Sequence, residues 1–338
     1  LYICVEFYII RNDRSGTLFA DALIAAVKRG VSVFLMYDYV GCIETPGSYF
    51  RKLEEAGVGC LPFNRFSFKK GLAWFDRRNH RKFAVIDGTT AFLGGLNIGD
   101  EYAGFGESIV RWRDVGIRLE GAAVGELRRL FTTLWKSEAG TRPEGIGPHS
   151  PSTPAGEADV MVVSGAPHHN ASFIRSSFRM AIAGASKTVR IVTPYFVPGP
   201  RLVRSLLRAA GRGVRIQLLL PSVTDVRLVK IAGRAYLSPL LKAGIEIYER
   251  EGTILHAKAM LIDNCWATVG SANLDFRSFH RNYEVNVIID SPDFGRQIDE
   301  MFTRDLERSR RITIQEHEKR PWFEKLLERL CDPIRRFL

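Results

Sequence analysis

His80-Arg-Lys82-Phe-Ala-Val-Ile-Asp87, followed by Gly94-Gly95-Leu-Asn97, returns later in the chain as His256-Ala-Lys258-Ala-Met-Leu-Ile-Asp263, followed by Gly270-Ser271-Ala-Asn273. The internal spacing is the same in both copies, and a repeat on this scale divides a chain into equivalent structural units. Upstream, Lys28-Arg29-Gly30-Val31-Ser32-Val33 matches Gly211-Arg212-Gly213-Val214-Arg215-Ile216, Ala56-Gly57-Val58 matches Ala243-Gly244-Ile245, and Tyr8 falls opposite Tyr195. Each half reads as an apolar strand, an amphipathic helix ending at Gly, a β-branched strand, a second helix and then the motif strand. That alternation predicts two similar α/β lobes, each a mixed β-sheet flanked by helices, with a site between them.

The first lobe is expected over residues 1–139, a linker rich in Gly, Pro, Ser and Thr over 140–157, the second lobe over 158–310, and a basic amphipathic segment over 311–338. About thirty residues from Asp159 to Thr188 read as strand then helix and have no counterpart before Tyr8. The first lobe is therefore expected to be N-terminally incomplete, and sequence upstream of Leu1 is a place for a membrane anchor. A second difference is an insertion between Gly57 and His80, which sets Phe66, Phe68, Trp74 and Phe75 among Lys69, Lys70, Arg77 and Arg78. Such a composition suits a surface that dips into lipid while its cations meet headgroups, and equally a loop capping its own lobe. The helical stripe Trp322, Phe323, Leu326, Leu327 and Leu330 poses the same choice between docking and membrane contact, and we favour membrane contact. His168 and His169 fall in an expected loop and read as solvated surface.

With 338 residues and 46% hydrophobic content the chain has the composition of an ordinary globular protein. No stretch reaches the roughly 18 consecutive apolar residues of a spanning helix, and no signal peptide is visible. Five scattered cysteines without a Cys-x-x-Cys pair argue against a disulfide framework or a zinc site and fit a reducing compartment. A net charge of +11 favours polyanionic partners: nucleic acid, anionic lipid or phosphorylated substrates.

In each motif the His and Lys stand two apart, so on a strand both project from one face, while the Asp has the opposite parity. Asp87 and Asp263 thus belong to the catalytic motifs but are expected to brace backbone rather than touch substrate. The Gly-x-x-Asn turn brings an amide and free backbone N–H groups toward a phosphate oxygen. Displacing an alcohol from a phosphodiester needs a nucleophile, an acid for the leaving oxygen and cations for the phosphoryl charge. One neutral imidazole with a pKa of about 6.5 can attack while a second, held protonated, donates. Two lysines supply the cations, and no carboxylate-rich or Cys/His cluster suggests a metal or other cofactor.

Two His-x-Lys-x4-Asp-x6-Gly-(Gly/Ser)-x-Asn motifs resemble the signature of the phospholipase D superfamily. Within it, Thr193-Pro194-Tyr195-Phe196-Val197-Pro198, the Gly94-Gly95-x-Asn97-x4-Tyr102 form of the first motif, and Asn273-Leu-Asp275-x-Arg277-Ser278 through Asn282-x-Glu284-x-Asn286 are similar to bacterial cardiolipin synthases. The resemblance covers roughly residues 1–310. It implies a metal-free phosphohistidine mechanism with His80 as nucleophile, His256 as general acid and base, and Lys82, Lys258, Asn97 and Asn273 gripping phosphate. By the same resemblance Asp114, in Trp112-Arg-Asp114, and Glu284 orient the two imidazoles and favour their charged form. The family pattern has a departure at the residue after the glycine, Gly95 in one motif and Ser271 in the other.

The implied reaction passes a phosphatidyl group from one phosphatidylglycerol to the hydroxyl of another, giving cardiolipin and glycerol at the cytoplasmic face of a bacterial inner membrane, with the protein peripheral. Water as acceptor would make the same residues a phospholipase D. A nuclease suits the net charge, but the cardiolipin-synthase-like segments and the aromatic-basic insertion argue against nucleic acid.

Overall fold

The structure, a computed structural model, describes residues 1–66, 74, 76–105, 111–147, 156–167 and 172–331. Phe68, Lys69, Lys70, Phe75, His168 and His169 lie outside the described residues, as do 148–155 and 332–338 of the expected linker and C-terminal segment.

Strands form where apolar residues run together and helices where they recur every three or four positions. In the first half these are β1 (Tyr2–Phe7), α1 (Arg14–Lys28), β2 (Ser32–Asp38), α2 (Gly47–Glu55), β3 (Gly59–Phe63), β4 (Arg78–Asn79), β5 (Phe83–Ile86), β6 (Thr90–Gly94), α3 (Asp100–Ala103), β7 (Trp112–Arg113), β8 (Gly116–Glu120) and α4 (Ala123–Ala139). The second half opens with β9 (Asp159–Gly165), α5 (Phe173–Gly184), β10 (Thr188–Val192), α6 (Gly199–Gly211), β11 (Arg215–Val223), α7 (Arg227–Arg234) and α8 (Leu237–Lys242). It continues with β12 (Glu246–Leu255), β13 (Ala259–Ile262), β14 (Trp266–Gly270), α9 (Phe276–His280), β15 (Asn282–Asp290), α10 (Pro292–Leu306), β16 (Ser309–Ile312), α11 (Ile314–Glu318) and α12 (Trp322–Leu330).

The first sheet runs β3-β2-β1-β5-β6-β8 and the second β16-β12-β11-β10-β13-β14-β15-β4, with β9 on β15 and β7 on β12. Strand by strand, β1, β2, β3, β5, β6 and β8 correspond to β10, β11, β12, β13, β14 and β15, so the repeat is structural. β9 and α5 have no counterpart among the described residues of the first lobe. In each lobe the three parallel strands meet an antiparallel hairpin, which is the mixed sheet expected.

The lobes share cores. Phe83, Val85, Leu93 and Leu119 pack with Val285, Val287 and Ile289, and Val115 packs with Leu219, Leu255 and Val269. At roughly 25 cal/mol per Å² of apolar surface removed from water, such shared burial joins the halves into one unit. Two two-residue strands complete the seam: β4 pairs in parallel with β15, and β7 with β12.

The structure departs from the sequence reading in two places. A strand, β3 or β12, stands between the second helix and the motif. His80 and Lys82, and likewise His256 and Lys258, lie in the segments entering β5 and β13, not on those strands. The cause is hydrogen bonding: the His80 N–H donates to Tyr283 O at 2.9 Å, and the His256 N–H to Arg113 O at 2.7 Å, so each segment pairs with the other lobe.

Of the insertion, Trp74 is buried in its own lobe, where its Nε1 donates to Asn64 O at 2.7 Å and Arg78 lies over its ring, while Phe66 is exposed. In α12 the stripe faces outward: Trp322 is 75% exposed and Leu330 63%. The opposite side docks instead, through Glu324 to Arg234 on α7 at 2.7 Å, with Cys331 just beyond the helix beside Val229 and Ala232.

Candidate active site

The crossed segments bring His80, Lys82, His256 and Lys258 together at the seam. Nδ1 of His80 lies 3.0 and 3.1 Å from the two carboxylate oxygens of Glu284. Nδ1 of His256 lies 2.6 Å from Asp114 Oδ2. Each acid thus orients the imidazole of the opposite lobe, and the residue just before it, Tyr283 or Arg113, accepts that histidine's backbone N–H. With Nδ1 so engaged, Nε2 of each ring has no hydrogen bond among the described residues.

Lys82 Nζ donates to His80 O at 2.6 Å, and Lys258 Nζ donates to His256 O while standing 2.8 Å from that ring's Nδ1. Burial is the largest influence on all four groups. It pushes Lys82 down to about 7 and Lys258 down to about 8, against the pull of Glu284 and Asp114. Burial also holds both imidazoles below their ordinary range, Lys258 adding to the effect at His256. The carboxylates work the other way, as the sequence reading expected, but their pull does not outweigh burial and two ammoniums. An imidazolium at His256 is therefore not favoured in the protein alone, burial first and Lys258 second outweighing Asp114. Asp114 and Glu284 stay below the usual carboxylate range although burial opposes it, because the lysines and histidines face them.

The lobes differ at the residue after the motif glycine. Ser271 Oγ donates to Glu284 Oε2. At Gly95 a Cβ would stand 2.2 Å from Asp114 Oδ1, so a side chain there would displace the acid that orients His256. One position thus supports its carboxylate with a hydroxyl, and the other makes room for it.

The asparagines are also unequal. Asn97 accepts from Ile9 N at 3.1 Å and donates to Tyr102 OH at 2.9 Å, so most of its amide is already engaged. Asn273 is buried with its side-chain oxygen unbonded and its backbone N–H donating to Ser278 Oγ. Asp87 and Asp263 do not join the cluster. Asp87 accepts from Tyr2 N at 2.8 Å, and Asp263 accepts from Ser186, Lys187 and Thr188 N, each at 2.8 Å. Both sit in left-handed backbone, with φ of +52° and +50°.

The sequence reading missed the aromatic walls. Tyr8 meets His80 edge-on at 4.9 Å between ring centres and lies under the Lys82 ammonium. Tyr102 and Trp112 flank His256 at 5.6 and 5.1 Å. Signals were available: Tyr8 repeats as Tyr195, Tyr102 stands five residues after Asn97, and Trp112 stands two before Asp114.

A duplicated His-Lys site, built across two matched mixed sheets, defines a protein of the phospholipase D class. The family model described as "Cardiolipin synthase, PLD-like domain" matches residues 1–135 and 178–306, and the chain belongs to that family. It is similar to cardiolipin synthase 2 of Bacillus anthracis, at 38% identity over 98% of this chain and 66% of the relative. It is also similar to the major cardiolipin synthase ClsA of Bacillus subtilis strain 168, at 33% identity over 98% of this chain and 70% of that protein. The chain therefore spans about two thirds of the length of these curated relatives. Among solved structures, phosphatidylserine synthase of Haemophilus influenzae Rd KW20 matches all of this chain and 90% of its own with a TM-score of 0.76, at 13% identity, and so shares the fold.

Proposed function

We propose that the protein is a phosphatidyltransferase that makes cardiolipin from two phosphatidylglycerol molecules and releases glycerol. The observation that carries it is the crossed pairing of His80 with Glu284 and His256 with Asp114, which leaves two Nε2 atoms and two ammoniums for one phosphodiester. The curated relatives' name supports the choice of acceptor.

In the first half-reaction His80 Nε2 attacks phosphorus and the P–O bond to glycerol breaks. His256 Nε2–H gives its proton to the departing glycerol oxygen, leaving a phosphatidyl-histidine. In the second, the hydroxyl of another phosphatidylglycerol gives its proton to His256 and its oxygen to phosphorus, and the P–N bond breaks to free His80. The anionic phosphate itself offsets the burial that keeps His256 neutral, so protonation and substrate binding reinforce each other. Lys82, Lys258 and Asn273 serve the phosphoryl oxygens. Asp87 and Asp263 brace the loops that carry the motif.

No helix among the described residues is long and apolar enough to cross a membrane. We place the chain at an anionic membrane surface, on the cytoplasmic face, with the outward stripe of α12 against the lipid. Phosphatidylglycerol vesicles and mass-resolved products test the function: cardiolipin and glycerol are expected, and phosphatidic acid as sole product would overturn it.

A further inference from the structure

Arg175 and Arg201 stand at the third positions of α5 and α6, two packed helices with no acidic residue in either first turn. Following the pairing from β10 through β13, β14 and β15 to β9 reverses direction four times, so β9 runs parallel to β10. Both helices therefore start at the same edge of the sheet, the edge where His256 follows β12.

Arg175 donates to Nε2 of His280 at 2.7 Å, which makes that imidazole an acceptor and hence neutral. Burial, then Arg175, Arg281 and Arg201, pull His280 below its ordinary range. Arg201 and Arg179 add to burial in doing the same to Arg175. No carboxylate lies within ion-pair distance of Arg175, Arg179 or Arg201 among the described residues, whereas neighbouring Arg281 has Asp76. The Nε atoms of Arg175 and Arg179 are buried without a hydrogen bond. Elsewhere this chain answers buried guanidiniums with acids, as in Arg78 with Asp38 and Arg250 with Asp305.

Like charges gathered in a half-buried place repel one another, and the positive ends of two helices make it worse. The cluster is unfavourable in the protein alone and favourable around an anion. His280 closes α9, whose Arg277 is within electrostatic reach of Tyr8, the ring that walls His80. Gly165, where β9 ends, lies against Glu284 and the Ser278 carbonyl. The cluster thus borders the imidazole pair without belonging to it.

We propose that Arg175 and Arg201, with His280 at the end of α9 against α5, form a second phosphate site that holds the headgroup phosphodiester of the acceptor lipid. This rests on the transfer reading above. Joining two anionic lipids brings two phosphates to one cleft, and the His-Lys cluster serves only the one that reacts. Hydrolysis has no use for the second.

The test separates the two acceptors. R175Q/R201Q is compared with wild type in cardiolipin formation from phosphatidylglycerol vesicles and in exchange of labelled glycerol into phosphatidylglycerol. Glycerol exchange uses the same donor site with a neutral acceptor. Cardiolipin formation is expected to fall about ten-fold or more, the worth of one charge-assisted hydrogen bond or better, with exchange within about two-fold. R175K/R201K should recover much of the loss. Arg201 is exposed, so R201Q alone gives a weaker loss of the same kind without disturbing packing. Equal loss of both activities, or an unchanged cardiolipin yield, would overturn the second site. Phosphatidic acid as the wild type's sole product would instead remove the transfer reading, and the acceptor site with it.

Discussion

Glu284 of the second lobe holds His80 of the first at 3.0 Å, while Asp114 of the first lobe holds His256 of the second at 2.6 Å. Neither lobe orients its own imidazole. A half-chain has a histidine without its carboxylate, so the duplicated motif is one site by construction. Because each histidine's backbone N–H also reaches the residue before the opposing acid, a change in lobe packing moves ring and acid together.

The crossing predicts separable defects. Glu284→Gln keeps the shape but loses the charge that orients and supports His80, and turnover should fall by about 100-fold. Acid-quenched single-turnover samples should then hold less phosphohistidine. If His256 is the base of the second step, as proposed, Asp114→Asn should spare formation of that intermediate from a donor with an activated leaving group and slow its breakdown. Identical profiles for the two variants would contradict the unequal roles.

Anion binding should weaken as pH rises. A lysine carries charge only below its pKa, and burial brings Lys82 to about 7 and Lys258 to about 8, so both cations are lost across a range where ordinary lysines keep theirs. Sulfate, a dianion throughout, should inhibit strongly at pH 6 and progressively less toward pH 9. Lys82→Arg, whose guanidinium stays protonated, should flatten that slope even if overall activity is reduced. A pH-independent inhibition constant in the wild type would argue against depressed lysines.

How much of this was legible in the sequence follows from where the information sits. The His, Lys, Asp and Asn positions repeat at fixed spacing because they share local backbone, and a period is visible in one chain. The equivalence of the sheets came with it. β4 and β7 were not legible, since a two-residue strand has no periodicity and its partner is more than a hundred residues away. The crossing of Glu284 and Asp114 depends on that same seam. The neutral state of the imidazoles depends on burial, which residue identity alone does not report.

Gly95 and Ser271 occupy equivalent positions and should respond unequally to exchange. Gly95→Ser forces a Cβ into the space of the Asp114 carboxylate, so both the melting temperature and turnover should drop sharply. Ser271→Gly removes the hydroxyl that donates to the charged Glu284 and accepts the Val285 N–H at 3.0 Å, costing about 2–3 kcal/mol, with a smaller loss of activity because the Glu284 carboxylate keeps its place. Thermal melts and steady-state rates of the two variants, run side by side, check the asymmetry.

Asp263 should matter to stability more than to chemistry. Its carboxylate accepts three backbone N–H groups and the Ser186 hydroxyl, and although burial opposes it, those bonds hold its pKa below the ordinary value. A depressed carboxylate contributes stability above its unfolded pKa and loses it as pH falls through the folded value. Asp263→Ala should therefore cost about 2 kcal/mol near neutral pH, and the gap to wild type should close under acid conditions. Turnover per folded molecule should stay near the wild-type level at low temperature.

α12 turns Trp322, Phe323, Leu326, Leu327 and Leu330 outward as one face, while Glu324 fixes the opposite side to α7. α7 begins two residues after Asp225, which accepts from the Tyr195 hydroxyl at 2.6 Å, so the exposed face is tied mechanically to the rim of the site. Lipid burial of such a face brings the rim toward the bilayer, and Lys325 beside it suits anionic headgroups. Leu326→Glu/Leu330→Glu places charge in the apolar face and leaves the docked side untouched. Sedimentation with phosphatidylglycerol vesicles should fall several-fold, as should activity on them, while activity on a short-chain, water-soluble phosphatidylglycerol stays within about two-fold, each exposed apolar group lost being worth up to a few kcal/mol of membrane affinity. Tryptophan emission should shift blue with vesicles in the wild type and lose that shift in Trp322→Leu. If the soluble substrate is lost in equal measure, α12 supports the fold instead of meeting the lipid.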